Sequence, residues 1–337
     1  MRTLLLTDLH FMDRNFGLLE AQTKCIKKIC KEEKPDEVIF MGDLMMNRRP
    51  SPSVLLALKS VIDFLVTSGS AIYILRGNHD SETKADDGIS ALSLFDSIIS
   101  NVKVITHIWI DDFSKRVFIP HYEDEKIIKE ALRTAPEGYE VFGHFGYAGC
   151  LNSAGDLDFS ISFSEFRNPT YLGHIHKFNR KRIETEGEVE EVVILGTPYT
   201  TNFGECEKGN WYAILTDGDA EYKKITHGPR HLAIRYKDLA SPEVIDYVND
   251  NNYYTLLRVL RDRDDEDLKL DAIDVDKLDI IWTPTTEDVI KDTAAYNPGT
   301  ELFSINEVIL EDYIKSVETD LTNDQIMEGY NLIKNED

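Results

Sequence analysis

Five short apolar runs in this chain lead into the same few residue types, and that repetition constrains the fold more than any other feature. Residues 3–7 run into Asp8-Leu9-His10, residues 37–41 into Gly42-Asp43, and residues 71–75 toward Gly77-Asn78-His79-Asp80. Residues 139–143 run into His144, and residues 170–173 into His174-Ile175-His176. Short apolar runs bounded by turn residues read as buried strands. Between the first of them lie helical stretches at 18–33 and 53–67, the second with Val54, Leu55, Leu58, Val61, Ile62 and Leu65 at helical spacing. A further helix is expected near 90–99 and a strand at 102–106. After Arg116 strands dominate, at 117–120, 191–195, 211–216 and 221–226 besides those above, with one clear helix at 125–134. Two sheets packed face to face with helices outside is the architecture this pattern predicts. In such folds ligands bind at the carboxyl ends of the strands, where the polar clusters fall.

The clusters supply Asp8, His10, Asp43, Asn78, His144, His174 and His176. These are oxygen and imidazole donors with no thiolate, a mix suited to Mn²⁺, Fe²⁺ or Zn²⁺ more than to Mg²⁺ or Ca²⁺. Asp8 and His10 are two apart, as are His174 and His176, so on extended chain each pair shares a face. Glycines precede Asp43, Asn78, His144 and His174 and allow close approach of the backbone. Each signal alone is weak, since Gly-Asn-His-Asp also suits an ordinary turn. The specific signal is the ordered set of five, each at an expected strand end. Cys25, Cys30, Cys150 and Cys206 form no CxxC pair, so neither a zinc knuckle nor a disulfide framework is indicated, and a reduced cytoplasmic setting is expected.

This ordered set resembles the calcineurin-like metallophosphoesterase superfamily. The resemblance implies an α/β (α+β) fold, a four-layer β-sandwich flanked by helices. It implies two divalent ions, the first held by Asp8, His10, Asp43 and His176, the second by Asp43, Asn78, His144 and His174. Asp43 would bridge them, and Mn²⁺ is the foremost candidate, ahead of Mg²⁺, Fe²⁺ or Zn²⁺. Ions about 3.5–4 Å apart clamp a phosphoryl group and activate water for attack. His79 would face the scissile phosphate and supply a proton to the leaving oxygen. Asp80 would either orient His79 or cap a following helix. His107, His121, His227 and His231 have no counterpart in the set, though His121, just after a strand and Pro120, is placed to lie near it.

The rest of the chain narrows the expectation. Residues 231–285 read as a small α+β module and residues 302–335 as two helices, each opened by a capping box, Ser304-x-x-Glu307 and Thr322-x-x-Gln325. Together with the loop Gly196-Thr-Pro-Tyr-Thr-Thr-Asn-Phe-Gly-Glu205 and the tail Leu310-Glu-Asp-Tyr-Ile314, this layout resembles the SbcD-type nuclease subunits, the smaller bacteriophage recombination endonucleases most of all. That resemblance implies a nuclease domain at 1–229, a capping domain at 230–295 and a C-terminal helical segment at 300–337. The activity implied is metal-dependent hydrolysis of DNA phosphodiester bonds. The partners implied are DNA, a coiled-coil SbcC-like ABC-type ATPase bound through the C-terminal helices, and a second copy of the chain, with helices near 53–68 or 89–99 at the dimer interface. Arg48, Arg49, Thr200 and Asn202 are candidate DNA contacts. One departure stands out: an acidic residue or His is common three positions after the bridging Asp, and here that residue is Met46. A small-molecule or cyclic-nucleotide phosphodiesterase of the same superfamily is the alternative.

Charge bears on the substrate. The net charge is −24, with hydrophobic residues at 42% of the chain, enough for a large core and too many for a disordered acidic chain. Residues 1–229 carry −9 and residues 230–337 carry −15. The acidity predicts weak, salt-sensitive binding of DNA by the chain alone, with useful affinity supplied by dimerisation and the partner. No apolar run reaches the ~20 residues of a membrane-spanning helix, and the start of the chain turns polar too soon for a signal peptide.

Overall fold

The computed structural model describes residues 1–14, 16–96, 101–150, 161–185, 188–206, 208–262 and 270–282. In chain order the first elements are β1 (Arg2–Leu6), α1 (Phe16–Glu33), β2 (Glu37–Phe40), α2 (Pro52–Thr67), β3 (Ala71–Leu75) and β4 (Val102–Ile105). Then come β5 (Trp109–Asp111), β6 (Arg116–Ile119), α3 (Glu125–Thr134), β7 (Glu140–His144), β8 (Thr170–Gly173), β9 (Asn179–Thr185) and β10 (Glu188–Ile194). The last are β11 (Trp211–Thr216), β12 (Asp219–Lys224), β13 (Gly228–Arg235), α4 (Pro242–Val248), β14 (Tyr253–Arg261) and β15 (Lys277–Trp282).

Two six-stranded sheets run β12-β11-β1-β2-β3-β4 and β5-β6-β7-β8-β10-β9. Strands β1 to β4 are mutually parallel, as are β6, β7, β8 and β10. The apolar runs are continuous because both faces of each central strand are buried. In β1, Leu4 and Leu6 face α1 and α2 together with Val38, Phe40, Ile72 and Ile74. Leu5 faces the other way, into a layer shared with Ile39, Leu75, Phe118, Phe142 and Val193. Beyond the second sheet, Val117, Val141 and Leu172 pack on Ile128 and Leu132 of α3. The result is helix, sheet, sheet, helix, the four layers expected. Arg116 of β6 crosses between the sheets to Glu37 of β2 at 2.5 Å.

Local signals explain the element ends. Ser51 caps α2 by accepting from Val54 N–H, and Pro52 occupies the first turn. The expected helix near 90–99 is, over its described part, a single 3-10 turn at Ala91–Phe95, and residues 97–100 lie outside the described residues. Strand β9 was not legible as a strand, because an edge strand reading Asn-Arg-Lys-Arg-Ile-Glu-Thr carries charge rather than an apolar run.

Strands β13-β14-β15 form a third sheet with its own small core of Leu232, Tyr236, Leu239, Val248, Leu257 and Val259. Its central strand β14 meets the first sheet's helix and loops: Leu256 packs with Met12 and Leu18, and with Met46, Phe203 and Tyr254. Residues 302–337, where the two C-terminal helices are expected, lie outside the described residues. No disulfide joins the four cysteines, and no described helix is long and apolar enough to cross a membrane.

Glu33 ties the end of α1 to the first sheet. It accepts from Tyr212 Oη at 2.6 Å and Lys223 Nζ at 3.0 Å, and pairs with Arg2. Burial opposes its charge, but these donors outweigh that and hold its carboxyl below the ordinary 4.5. A depressed carboxyl stabilises the fold above the unfolded-state value and loses that contribution as pH falls. Glu33→Gln should therefore lower stability by about 1–2 kcal/mol at neutral pH. In denaturant titrations the difference from wild type should shrink as the pH drops below 4.5.

Candidate metal centre

The five polar clusters meet at the carboxyl ends of the parallel strands. Asp8 and His10 do not continue β1, contrary to the shared-face expectation: the strand ends at Leu6. The chain then takes left-handed backbone at Asp8 (φ 53°), His10 (φ 43°), Asp43 (φ 52°) and His174 (φ 80°). Such angles are uncommon for residues other than glycine and cluster at functional sites. What holds them is a second ladder between the two loops. Asp8 N–H donates to Gly42 O at 2.9 Å, His10 N–H to Asp43 O at 3.0 Å and Phe11 N–H to Leu44 O at 3.0 Å. A side chain at Gly42 would strike the His144 ring, and one at Gly77 would strike the Asp43 carboxylate.

Each central carboxylate is divided in its duties. Asp8 Oδ2 accepts from Thr7 Oγ1 at 2.7 Å and His174 N–H at 3.1 Å. Asp8 Oδ1 is buried with no hydrogen-bond partner, 3.7 Å from His10 Nε2 and 3.9 Å from His176 Nε2. Asp43 Oδ1 accepts from His79 N–H at 2.8 Å, while Oδ2 faces His144 Nε2 at 3.4 Å and His10 Nε2 at 3.8 Å. Asn78 Oδ1 lies 3.1 Å from His144 Nε2 and 2.9 Å from His174 Nδ1.

Potential ligand atoms of Asp8, His10 and His176 lie within 4.8 Å of one another, as do those of Asp43, His144 and His174. Those of His10, Asp43 and His79 form a third such group. The imidazoles are turned for ligation. His144 donates its Nδ1–H to Met41 O at 2.6 Å, and His176 donates its Nδ1–H to Glu205, so each turns Nε2 toward the carboxylates, where loss of its proton would free it for a cation. A buried orphan carboxylate oxygen facing imidazole nitrogens fits a divalent cation. All seven residues named from the sequence are thus gathered in one place.

The remaining sequence candidates divide. The His79 ring is held by Met46, whose carbonyl accepts Nδ1–H at 2.6 Å, leaving Nε2 free. The expectation that Asp80 orients His79, or caps a helix, is corrected. Its carboxylate, fully buried, accepts from Leu44 N–H (3.0 Å), Met45 N–H (3.2 Å) and Gly77 N–H (2.9 Å), and so staples the loop after β2 to the loop after β3. Burial, with Asp43 adding to it, raises its pKa to about 7. Thr200 is not a surface contact: it is buried, and its hydroxyl accepts from His231 N–H at 2.6 Å. Asn202 accepts from Gly204 N–H and caps a 3-10 turn. The Arg48 guanidinium is occupied by the carbonyls of Ser81 and Thr83, and Arg49 is exposed.

Sequence reasoning assigned no role to Glu205. It is buried, binds His176, accepts from Thr201 N–H at 2.8 Å, and pairs with buried Lys208 at 2.9 Å. Although burial opposes its charge, His176 and Lys208 hold its carboxyl far below the ordinary range. Nothing in Phe-Gly-Glu distinguishes it from a solvated acid; only its place within the Gly196–Glu205 loop hinted at it.

Residues 1–178 match the calcineurin-like phosphoesterase family, and the chain belongs to that family. Among solved structures it is similar to the nuclease MPE of Pseudomonas putida, with 17% identity over 58% of this chain and 73% of that one and a TM-score of 0.32. It is also similar to a dimetal phosphatase from Danio rerio, with 11% identity over 66% of this chain and 95% of that one and a TM-score of 0.39. No curated protein matches it in sequence.

Two outcomes are expected. Glu205→Ala should weaken metal binding about 10–100-fold, the usual effect of removing a partner from a ligating histidine, and Glu205→Gln should recover part of it in metal titrations. Metal affinity should also rise with pH. Burial works against charge on His144, but Asp43 outweighs it and raises the ring's pKa to about 9. Below that value a cation must displace a proton from Nε2, so affinity should gain up to about tenfold per pH unit for this one proton.

Proposed function

We propose that the protein is a DNA nuclease subunit that hydrolyses phosphodiester bonds and works with a coiled-coil ABC-type ATPase. The carrying observation is the continuity between the metal centre and the third sheet. Met46, which holds His79 through its carbonyl, packs its side chain with Leu256 of β14. The loop bearing Glu205 is bound to His231 of β13 through Thr200. A module built into the rim of the site suits a substrate larger than a mononucleotide. The alternative, a small phosphodiester as substrate, gives that module no task.

In this reading Asp8, His10, Asp43 and His176 hold one divalent ion and Asp43, Asn78, His144 and His174 the other. When bound, the ions polarise the phosphoryl group and lower the pKa of the attacking water. The chain's own residues do the rest. Asp8 and Asp43 keep one oxygen each on backbone or hydroxyl donors, which fixes the other toward the ion positions. His79 presents Nε2 toward the substrate side, with Nδ1–H anchored on Met46 O. Protonated there, it donates to the departing oxygen. Asp80 keeps both loops in register.

Leu56, Ile89 and Leu94 are exposed apolar residues on α2 and in the segment around Ala91–Phe95, the surfaces proposed for dimerisation. The ATPase is proposed to dock on residues 302–337.

His79→Ala should lower cleavage of linear DNA in Mn²⁺ by about 10²–10⁴-fold with full metal content. Loss of metal in that variant would make His79 a ligand, as its grouping with His10 and Asp43 allows, and would remove the proton-donor role. Turnover of small phosphodiesters with no DNA cleavage, even with the ATPase present, would support the alternative. Deleting residues 302–337 should leave a folded, metal-loaded protein that no longer co-purifies with the ATPase; retained binding would refute the docking site.

A further inference from the structure

We infer that His121 is a phosphate-contacting residue of this site, a second imidazole beyond the ligand set and on the opposite flank from His79. The inference deepens the phosphodiesterase reading and rests on it. His121 follows β6 and Pro120. Its ring stacks on His174 at 5.6 Å and 30°, and meets His144 edge-on at 6.2 Å and 80°. His79 lies by the other group, 5.0 Å from His10.

The backbone of His121 is locked in place. Its N–H donates to Arg76 O at 3.0 Å, and its carbonyl accepts from Arg76 Nη2 at 2.5 Å. Arg76 is itself buried and is held by Ser81 Oγ at 2.6 Å. This reciprocal pair fixes the backbone from which the ring projects, and the stack on His174 sets the ring itself.

Yet neither ring nitrogen has a hydrogen-bond partner, and both are buried. A neutral imidazole always carries one N–H. Buried donors are nearly always satisfied, so this one calls for an acceptor. The ion-pair geometry nearest to it is Glu123, 3.8 Å from Nε2, too far for a hydrogen bond. Glu123 also faces Arg48 at 3.7 Å and Lys84 at 3.8 Å. The adjacent rings of His144 and His174 already face other partners, Met41 O and Asn78 Oδ1 for His144 and Asn78 Oδ1 for His174. A phosphoryl group beside the two ions brings oxygens with spare lone pairs, which is the acceptor this donor lacks.

The test uses the full chain loaded with Zn²⁺ and inorganic phosphate as the probe. His121→Phe keeps the stack on His174 and removes the donor. It should weaken phosphate binding by calorimetry about tenfold, the worth of one hydrogen bond to a charged group, with metal content and melting temperature unchanged. His121→Gln, which restores an N–H, should recover most of the loss. In ¹⁵N-histidine-labelled wild-type protein, phosphate should shift the imidazole signal that is missing from His121→Gln. Unchanged phosphate affinity in His121→Phe, or an unmoved signal in the wild type, would overturn the contact. Metal loss in His121→Phe and His121→Gln alike would make the ring a support for His174 instead. If the wild type binds phosphate through His121 but cleaves no DNA, the nuclease reading fails and this one stands.

Discussion

Two buried carboxylates govern this molecule. Asp8 and Asp43 lie at the ends of adjacent parallel strands, each nearly free of solvent, and like charges brought so close inside a protein repel unless something positive intervenes. The fold answers partly with backbone donors and imidazoles. His144 is driven toward its charged form by Asp43, and Asp80, a third buried acid in the neighbourhood, is driven toward its neutral form. The remaining need, seen in the unpartnered Asp8 oxygen, is one that cations meet. The left-handed backbone at Asp8, His10, Asp43 and His174 is the conformational strain accepted to aim these groups inward.

Much of this was legible in the sequence. Central strands buried on both faces leave uninterrupted apolar runs, so β1, β2, β3, β7 and β8 were visible within a residue or two. The candidate ligand set was visible because the positions combine a strand end with a scarce residue type, several of them beside a glycine. Asp8 and His10 do lie together, but not through strand alternation. Alternation along a strand would place them on one face, but they lie past the strand, and the loop ladder with residues 42–44 turns them together.

What stayed hidden was whatever depends on long-range contact. A carboxylate that staples two loops and one that orients a catalytic ring look alike in Gly-Asn-His-Asp, and Asp80 belongs to the first kind. Thr200 looks like a polar loop residue until His231, far along the chain, occupies it. Glu205 gains its meaning from His176 and Lys208. Charged edge strands such as β9 leave no apolar trace at all.

Met46 shows how such contacts link parts of the molecule. Its carbonyl fixes the tautomer of His79, while its side chain rests among Met12, Leu18 and Leu256. The residue thus has its backbone at the candidate metal centre and its side chain under the third sheet. The seating of β14 on the loops of the first sheet and the orientation of the His79 ring therefore depend on one and the same residue.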